Sequence, residues 1–230
     1  MPKFYTTQAS SSIITLGEND SRHAIKSLRL RVSDKMDVID GMGNSFITEI
    51  VDDNPKKTTA KILKKVTYKA DTPLYLAFCP TKSNTKNELI VEKAVEIGAT
   101  TILPIFSQNS ERRHWNSKRM EKIVIAAIKQ SQRYWLPEIK EPLTFSEFID
   151  SAEEIQHNLI AHCKDGKKTP LSKLVDCTKA QLILIGPEGD FTENEIALAL
   201  QNNFKAVELG TNRLRTETAC MVALALMKNN

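Results

Sequence analysis

The chain runs to 230 residues, 41% hydrophobic and 26% charged, with a formal charge of +4 at pH 7, a water-facing composition with apolar content for one large domain or two small ones. No apolar run approaches the roughly 18 residues of a membrane span, and the opening "MPKFYTTQASSS" lacks the apolar core of an export signal, so a cytoplasmic protein with no membrane partner is expected. The charge is uneven: residues 1–70 hold 12 Lys and Arg against 8 Asp and Glu, whereas residues 71–230 hold 20 of each, which points to an anionic partner for the first third.

Residues 1–70 read as short strands. The runs "SIITL" (12–16), "MDVID" (36–40), "SFITEIV" (45–51) and "TTAKILKKV" (58–66) are β-rich and bounded by turn residues. "GMGN" (41–44) joins two of them as a hairpin turn, and no helix follows it, which argues against a nucleotide fingerprint. One helix is expected over 20–30, "DSRHAIKSLRL", capped by Asp20 or Ser21 and presenting Ala24, Ile25 and Leu28 on one face. Several strands and one helix predict a small barrel over 1–70, with "TYKADTP" (67–73) as the linker.

From Pro73 strands alternate with helices. "LYLAFCP" (74–80) is a buried strand and "TKNELIVEKAVEIG" (85–98) an amphipathic helix closed by Gly98. The strand "TTILPIF", a long helix over 117–133, a short helix near 144–150 and the strands "NLIAHC" and "QLILI" follow. Then come a helix from 192, the strand "AVEL" (206–209) and a last helix from 216. This alternation predicts an α/β fold with a parallel sheet covered on both faces. The last helix, "TETACMVALALM", is apolar on almost every side, so burial all round is expected, inside the chain, against a second copy, or both.

Cys79, Cys163, Cys177 and Cys220 form no CxxC pair, and the four histidines sit at no metal-ligand spacing beside them. Neither a metal nor a disulfide frame is expected. Ligands of parallel sheets bind beyond the carboxyl ends of strands. Two loops have that position, "GPEG" (186–189) and "GTNRLR" (210–215), and they would wall one pocket if their strands are neighbours. Neither a Walker loop nor a dinucleotide fingerprint is present, and the turn offers Glu188 but no lysine, so a neutral or cationic ligand held by main-chain groups fits better than a polyphosphate. Thr192 and Glu195 match a capping box, which reads as helix punctuation.

"IGPEGDF", "LGTNRLRTETA", "KAVEIGATTILPIFSQNSE", "QSQR" and "SRHAIKSLRL" together resemble the RsmE-type small-subunit ribosomal RNA methyltransferases of the SPOUT superfamily, over essentially the whole length. Two positions depart from the family's habit: Asp190 stands where a second Gly is common, and Asn212-Arg213 where Arg-Ile is common. The resemblance implies a C-terminal SPOUT-type domain (73–230) tied in a deep trefoil knot, a PUA-like β-barrel (1–70) that engages RNA, and a homodimer. It implies methylation of the N3 nitrogen of one uridine in 16S ribosomal RNA, free or within the small ribosomal subunit, with S-adenosylmethionine as donor. Ile185, Gly186, Pro187, Glu188 and Gly189 would cradle the donor, with Leu209, Gly210 and Leu214 as the opposite wall. A non-catalytic RNA-binding or ribosome-assembly factor of this fold, or a knotted methyltransferase acting on another RNA, are the rival readings.

Methyl transfer to an imide nitrogen requires loss of its proton or stabilisation of the anion. Arg215 and Arg133 are the first candidates for a cation over the uracil carbonyls, with Arg213 third; Arg133 is equally a candidate for phosphate positioning. Glu217 is a candidate proton acceptor or a stabiliser of its helix start. Lys93 and Glu96 read as a surface ion pair. RNA contacts are expected from Arg22, His23, Arg29 and Arg31, from Arg112 and Arg113, and from Arg213. Trp115 reads as a stacking residue or as core.

Overall fold

The computed structural model describes residues 3–111, 113–152, 155 and 157–228. The chain divides into two compact units, Met1–Ala70 with Ile125–Leu136, and Asp71–Val124 with Pro137–Asn230. The cut after Ala70 falls inside the expected linker. Residues 125–136, expected in the C-terminal part, instead belong to the first unit.

In that first unit, β1 (Lys3–Tyr5), β2 (Gln8–Ala9), β3 (Ile13–Thr15), β4 (Lys35–Ile39), β5 (Asn44–Asp52) and β6 (Thr59–Thr67) form one sheet in the order β1-β4-β5-β6-β3-β2. The β1–β4 pair is parallel and the others antiparallel. Only Thr6 and Thr7 join the two edge strands, a link that spans ~10 Å. Six strands laid flat would hold those edges ~24 Å apart. The sheet therefore curls, and its inside is filled by Phe4, Ile14, Met36, Val38, Phe46 and Ile50. The 41–44 turn is a hairpin, with Gly41 and Gly43 at φ 72° and 87° and the Asp40 carboxylate accepting from the Met42 and Asn44 amides.

The helix expected over 20–30 is shorter and differently capped. It runs as α1 (Glu18–Arg22), widens into a π-helical turn at His23–Ser27 and stops before Leu28, which is exposed. Arg29 takes φ 59°, and the Leu30 amide donates back to Ala24 O at 3.1 Å. This reversal brings Leu30, not Leu28, against the core beside Ala24 and Ile25. Asp20 and Ser21 are not caps because tertiary partners claim them. Asp20 accepts from Tyr5 N and Lys129 Nζ, and the buried Ser21 hydroxyl bridges Leu16 O and Thr58 N.

The second unit contains β7 (Leu74–Phe78), α2 (Asn84–Ile97), β8 (Thr101–Phe106), the first half of α3 (Ser117–Ser131), β9 (Glu138–Ile139), β10 (Leu143–Thr144), α4 (Phe145–Ser151), β11 (His157–Ala161), β12 (Thr169–Pro170), β13 (Gln181–Ile185), α5 (Glu193–Gln201), β14 (Lys205–Glu208) and α6 (Thr216–Lys228). Its sheet is parallel throughout, in the order β10-β8-β7-β13-β11-β14-β12 with β9 also on β8. β7 and β13 sit centrally and are buried on both faces, Leu76, Ala77, Ile183 and Leu184 having no exposure, as their unbroken apolar runs require. Ser83 caps α2 and Gly98, at φ 128°, ends it. α6 packs on α2, β7 and β13 through Ala219, Cys220, Ala223, Leu224 and Met227. Met221, Val222, Ala225 and Leu226 are only half-buried, so one chain does not enclose this helix all round. No described helix is long and apolar enough to cross a membrane.

Candidate active site

β13 runs without interruption into the Gly186–Gly189 turn. A Cβ on Gly186 would meet the Phe191 ring at 3.1 Å, so glycine lets that ring pack under the turn. Asp190 follows at φ 62°, a conformation that favours Gly and that Asp tolerates better than most residues. Its carboxylate accepts from Cys163 N and from Phe191 N, both at 2.8 Å, and so pins the turn to the loop after β11. The Glu188 carboxylate accepts from Lys82 N, beyond β7. Thr192 and Glu195 form the reciprocal capping box of α5, and Glu195 also accepts from Gln108 N.

A cavity of about 790 Å³ opens here. Ile185, Gly186, Pro187 and Glu188 line one side, and Leu209, Gly210 and Leu214 another. The strands carrying these loops are not neighbours. β11 lies between β13 and β14, separating them by two strand spacings, roughly 10 Å, and its end contributes Ala161, His162 and Cys163 as a third wall. "NLIAHC" carried the signal for this wall, since it too is a parallel strand with a carboxyl end. Gly189 does not line the cavity. It backs onto Asn109, whose side-chain amide donates to Gly189 O and Asp190 O.

The expected lysine-free cradle is also corrected. Lys86, from α2, and Lys168, from the loop after β11, reach the lining from distant sequence. Both are engaged, Lys86 with Glu217 at 3.0 Å and Lys168 with His162 O and Lys164 O. Burial pulls the Glu217 carboxyl upward, but its own main-chain amide, Lys86 and Arg215 outweigh that and hold it below the usual carboxylate range. Burial and Lys168 lower the His162 imidazole, against opposing pulls from the Asp190 charge and the Lys164 main chain. The buried thiols Cys79, pushed up to about 12, and Cys220, pushed higher still by burial, are inert.

Arg213 and Arg215 both stand exposed on the cavity lining, the Arg213 guanidinium 3.5 Å from Glu188 O. Arg133 lies just beyond α3 in the first unit and is not a lining residue. Arg22, His23, Arg29 and Arg31 are exposed on the first unit, Arg22 ion-paired to Glu18 at 2.6 Å. Arg113 is exposed in the second unit, and Arg112 lies outside the described residues. Trp115 is half-buried, edge-on to Phe78, which makes it a packing residue. Lys93 bonds Glu92 and Glu96 on the face of α2. No group of acidic, His and Cys residues among the described residues is placed to hold a metal.

A parallel sheet with one cavity at three strand ends, in a chain that opens with a curled sheet, defines a class, and family comparison names it. The model described as RNA methyltransferase domain matches residues 69–228, and that described as RNA methyltransferase PUA domain matches 16–63. The ribosomal RNA small subunit methyltransferase E of Rickettsia conorii is 30% identical over 96% of this chain and 91% of its own length. A crystal structure of a probable rRNA-methyltransferase from Porphyromonas gingivalis superposes with a TM-score of 0.90 at 32% identity, covering 97% of this chain and 95% of that one. Ribosomal RNA small subunit methyltransferase E from Neisseria gonorrhoeae, solved bound to S-adenosylmethionine, gives 0.86 at 28% identity, covering 99% and 96%. The chain belongs to the ribosomal RNA small subunit methyltransferase E family.

Proposed function

We propose that this chain transfers a methyl group from S-adenosylmethionine to N3 of one uridine in 16S ribosomal RNA, as a homodimer with a trefoil-knotted C-terminal unit and an RNA-engaging N-terminal unit. The single observation that carries the reading is the cavity at the ends of β13, β11 and β14. Its volume falls within the range of small-molecule sites. Ile185, Leu209 and Leu214 offer aliphatic surface for a flat heterocycle, with the His162 imidazole beside them on the lining. The carboxylates of Glu188, Asp190, Glu208 and Glu217 balance Lys86, Lys168, Arg213 and Arg215, so the lining is formally neutral and suits a sulfonium better than a polyphosphate.

When bound, the donor supplies an electrophilic methyl group on positively charged sulfur. The chain's residues do the rest. Arg215 and Arg213, on the lining, stabilise the uracil anion that forms as the N3 proton passes to solvent water. Glu217, held ionised beside Lys86, acts as a fixed anion on the lining, because a carboxylate below its usual range is a weak base. Arg133, in the first unit, serves phosphate positioning. N3 is engaged in base pairing, so the target uridine must be unpaired or flipped out. The knot reading is supported by Thr216, which begins α6 hydrogen-bonded to Gly186 O, and by the packing of α6 on β7 and β13. The half-buried apolar face of α6 supports a second copy as its cover.

The test is mass spectrometry of 16S RNA from cells lacking the gene, with and without the protein restored. One methylated uridine should disappear and return. A methylation unchanged by the deletion would sink the assignment, and failure of the protein to bind S-adenosylmethionine by calorimetry would favour a non-catalytic assembly factor.

A further inference from the structure

The first unit carries an aromatic surface that the cavity chemistry does not use. Residues 134–136, just beyond α3, are fastened to the 41–44 hairpin by main-chain bonds from Gly43 N to Tyr134 O (2.9 Å) and from Leu136 N to Gly41 O (2.8 Å). Tyr68 N donates to Gly43 O, and Trp135 Nε1 donates to Tyr68 O at 3.1 Å. The indole lies on Gly43 so closely that a Cβ there would stand 2.5 Å from it. This frame holds the Tyr68 and Tyr134 rings face to face, with centroids 3.6 Å apart and planes 4° apart.

Such groups normally complete a core, yet here they face solvent. Met42 is 70% exposed, Tyr68 and Leu136 38% and Trp135 36%. Lysines surround them. Lys3 Nζ stands 5.1 Å from the Tyr134 ring centroid, Lys3 and Lys64 both act electrostatically on the Tyr68 hydroxyl, and Lys69, next in sequence to Tyr68, is exposed. The neighbouring Asp40 carboxylate is already taken up by Met42 N, Asn44 N and Asn44 Nδ2.

The geometry points to a stacking site for unpaired RNA bases, in which a base continues the Tyr134–Tyr68 stack and Lys3 and Lys64 meet the adjoining phosphates. Every base has a π-face, so a rigid ring beside lysines binds single strands with little sequence preference. A second copy of the chain fits poorly, because a self-complementary contact would press Lys3 and Lys64 toward their own counterparts. The inference rests on the RNA-methylating reading and names residues of the first unit other than Arg22, Arg29 and Arg31.

The test is fluorescence anisotropy of a labelled single-stranded oligouridylate titrated with the full chain. Tyr68→Ala should weaken binding about tenfold or more, while Tyr68→Phe, which keeps the ring, should bind as the wild type does. Lys3→Ala with Lys64→Ala should flatten the logarithmic salt slope by about 1.4. Calorimetric affinity for S-adenosylmethionine should be the same in every variant, so that failure of the donor site and failure of this surface read out separately. Unchanged binding by Tyr68→Ala overturns the proposal. So does an equal loss in Tyr68→Phe, or a Tyr68→Ala chain that keeps its RNA affinity but loses self-association in sedimentation.

Discussion

Thr216 Oγ1 donates a buried hydrogen bond of 3.1 Å to the main-chain oxygen of Gly186, joining the first residue of α6 to the end of β13. With the Arg213 guanidinium 3.5 Å from Glu188 O, it ties together two of the segments that wall the cavity. Thr216→Val keeps the shape and leaves that carbonyl unsatisfied, so it should cost about 1–3 kcal/mol in urea unfolding and weaken donor binding by calorimetry. Thr216→Ser should restore both.

Asp190 does two jobs, adopting a left-handed backbone and accepting from Cys163 N and Phe191 N. Asp190→Ala loses both and should destabilise by about 2 kcal/mol or more. Asp190→Gly loses only the acceptor, and Asp190→Asn retains most of each. The loop after β11 should loosen in step, which the reaction rate of the exposed Cys163 thiol with a disulfide reagent will show.

His162 titrates below its usual 6.5 in the folded chain, chiefly through burial. The unfolded chain therefore takes up this proton first as pH falls. The His162 contribution is fully present above pH 6.5 and is lost as pH drops below that value toward the lowered folded pKa. Melting temperature measured against pH should decline through this window more steeply in the wild type than in His162→Gln.

Glu217 and Lys86 meet at 3.0 Å on the cavity wall, with side chains 13% and 36% exposed. Glu217→Gln should cost about 1 kcal/mol or less in stability, given the solvent around Lys86. As a fixed anion, Glu217 should leave the pH–rate profile of methylation unchanged in shape when replaced. A fall of about a hundredfold with a lost ionisation would instead make it the proton acceptor.

Much of the second unit was legible because its signals are local. The apolar run of "QLILI", the Gly98 end of α2 and the Thr192–Glu195 box each depend on residues within a turn or two of one another, although the Ser83 cap of α2 went unread. The strands β1, β2, β9, β10 and β12, of two or three residues each, are too short to display a period, whereas the equally short β3 lies within the longer apolar run "SIITL". The helix over 20–30 misled for another reason: Asp20 and Ser21 look like caps but are drawn to Tyr5, Lys129, Leu16 and Thr58, contacts no local pattern records.

Residue order alone decided that an unbroken apolar strand ends in a turn at Gly186, because backbone freedom and strand burial are properties of adjacent residues. Folding decided who else arrives. The insertion of β11 between β13 and β14, the reach of Lys86 and Lys168 into the lining, and the seating of residues 134–136 on the 41–44 hairpin depend on pairings between distant segments. Those pairings follow from the summed burial of the whole sheet, a quantity that no stretch of the chain carries on its own.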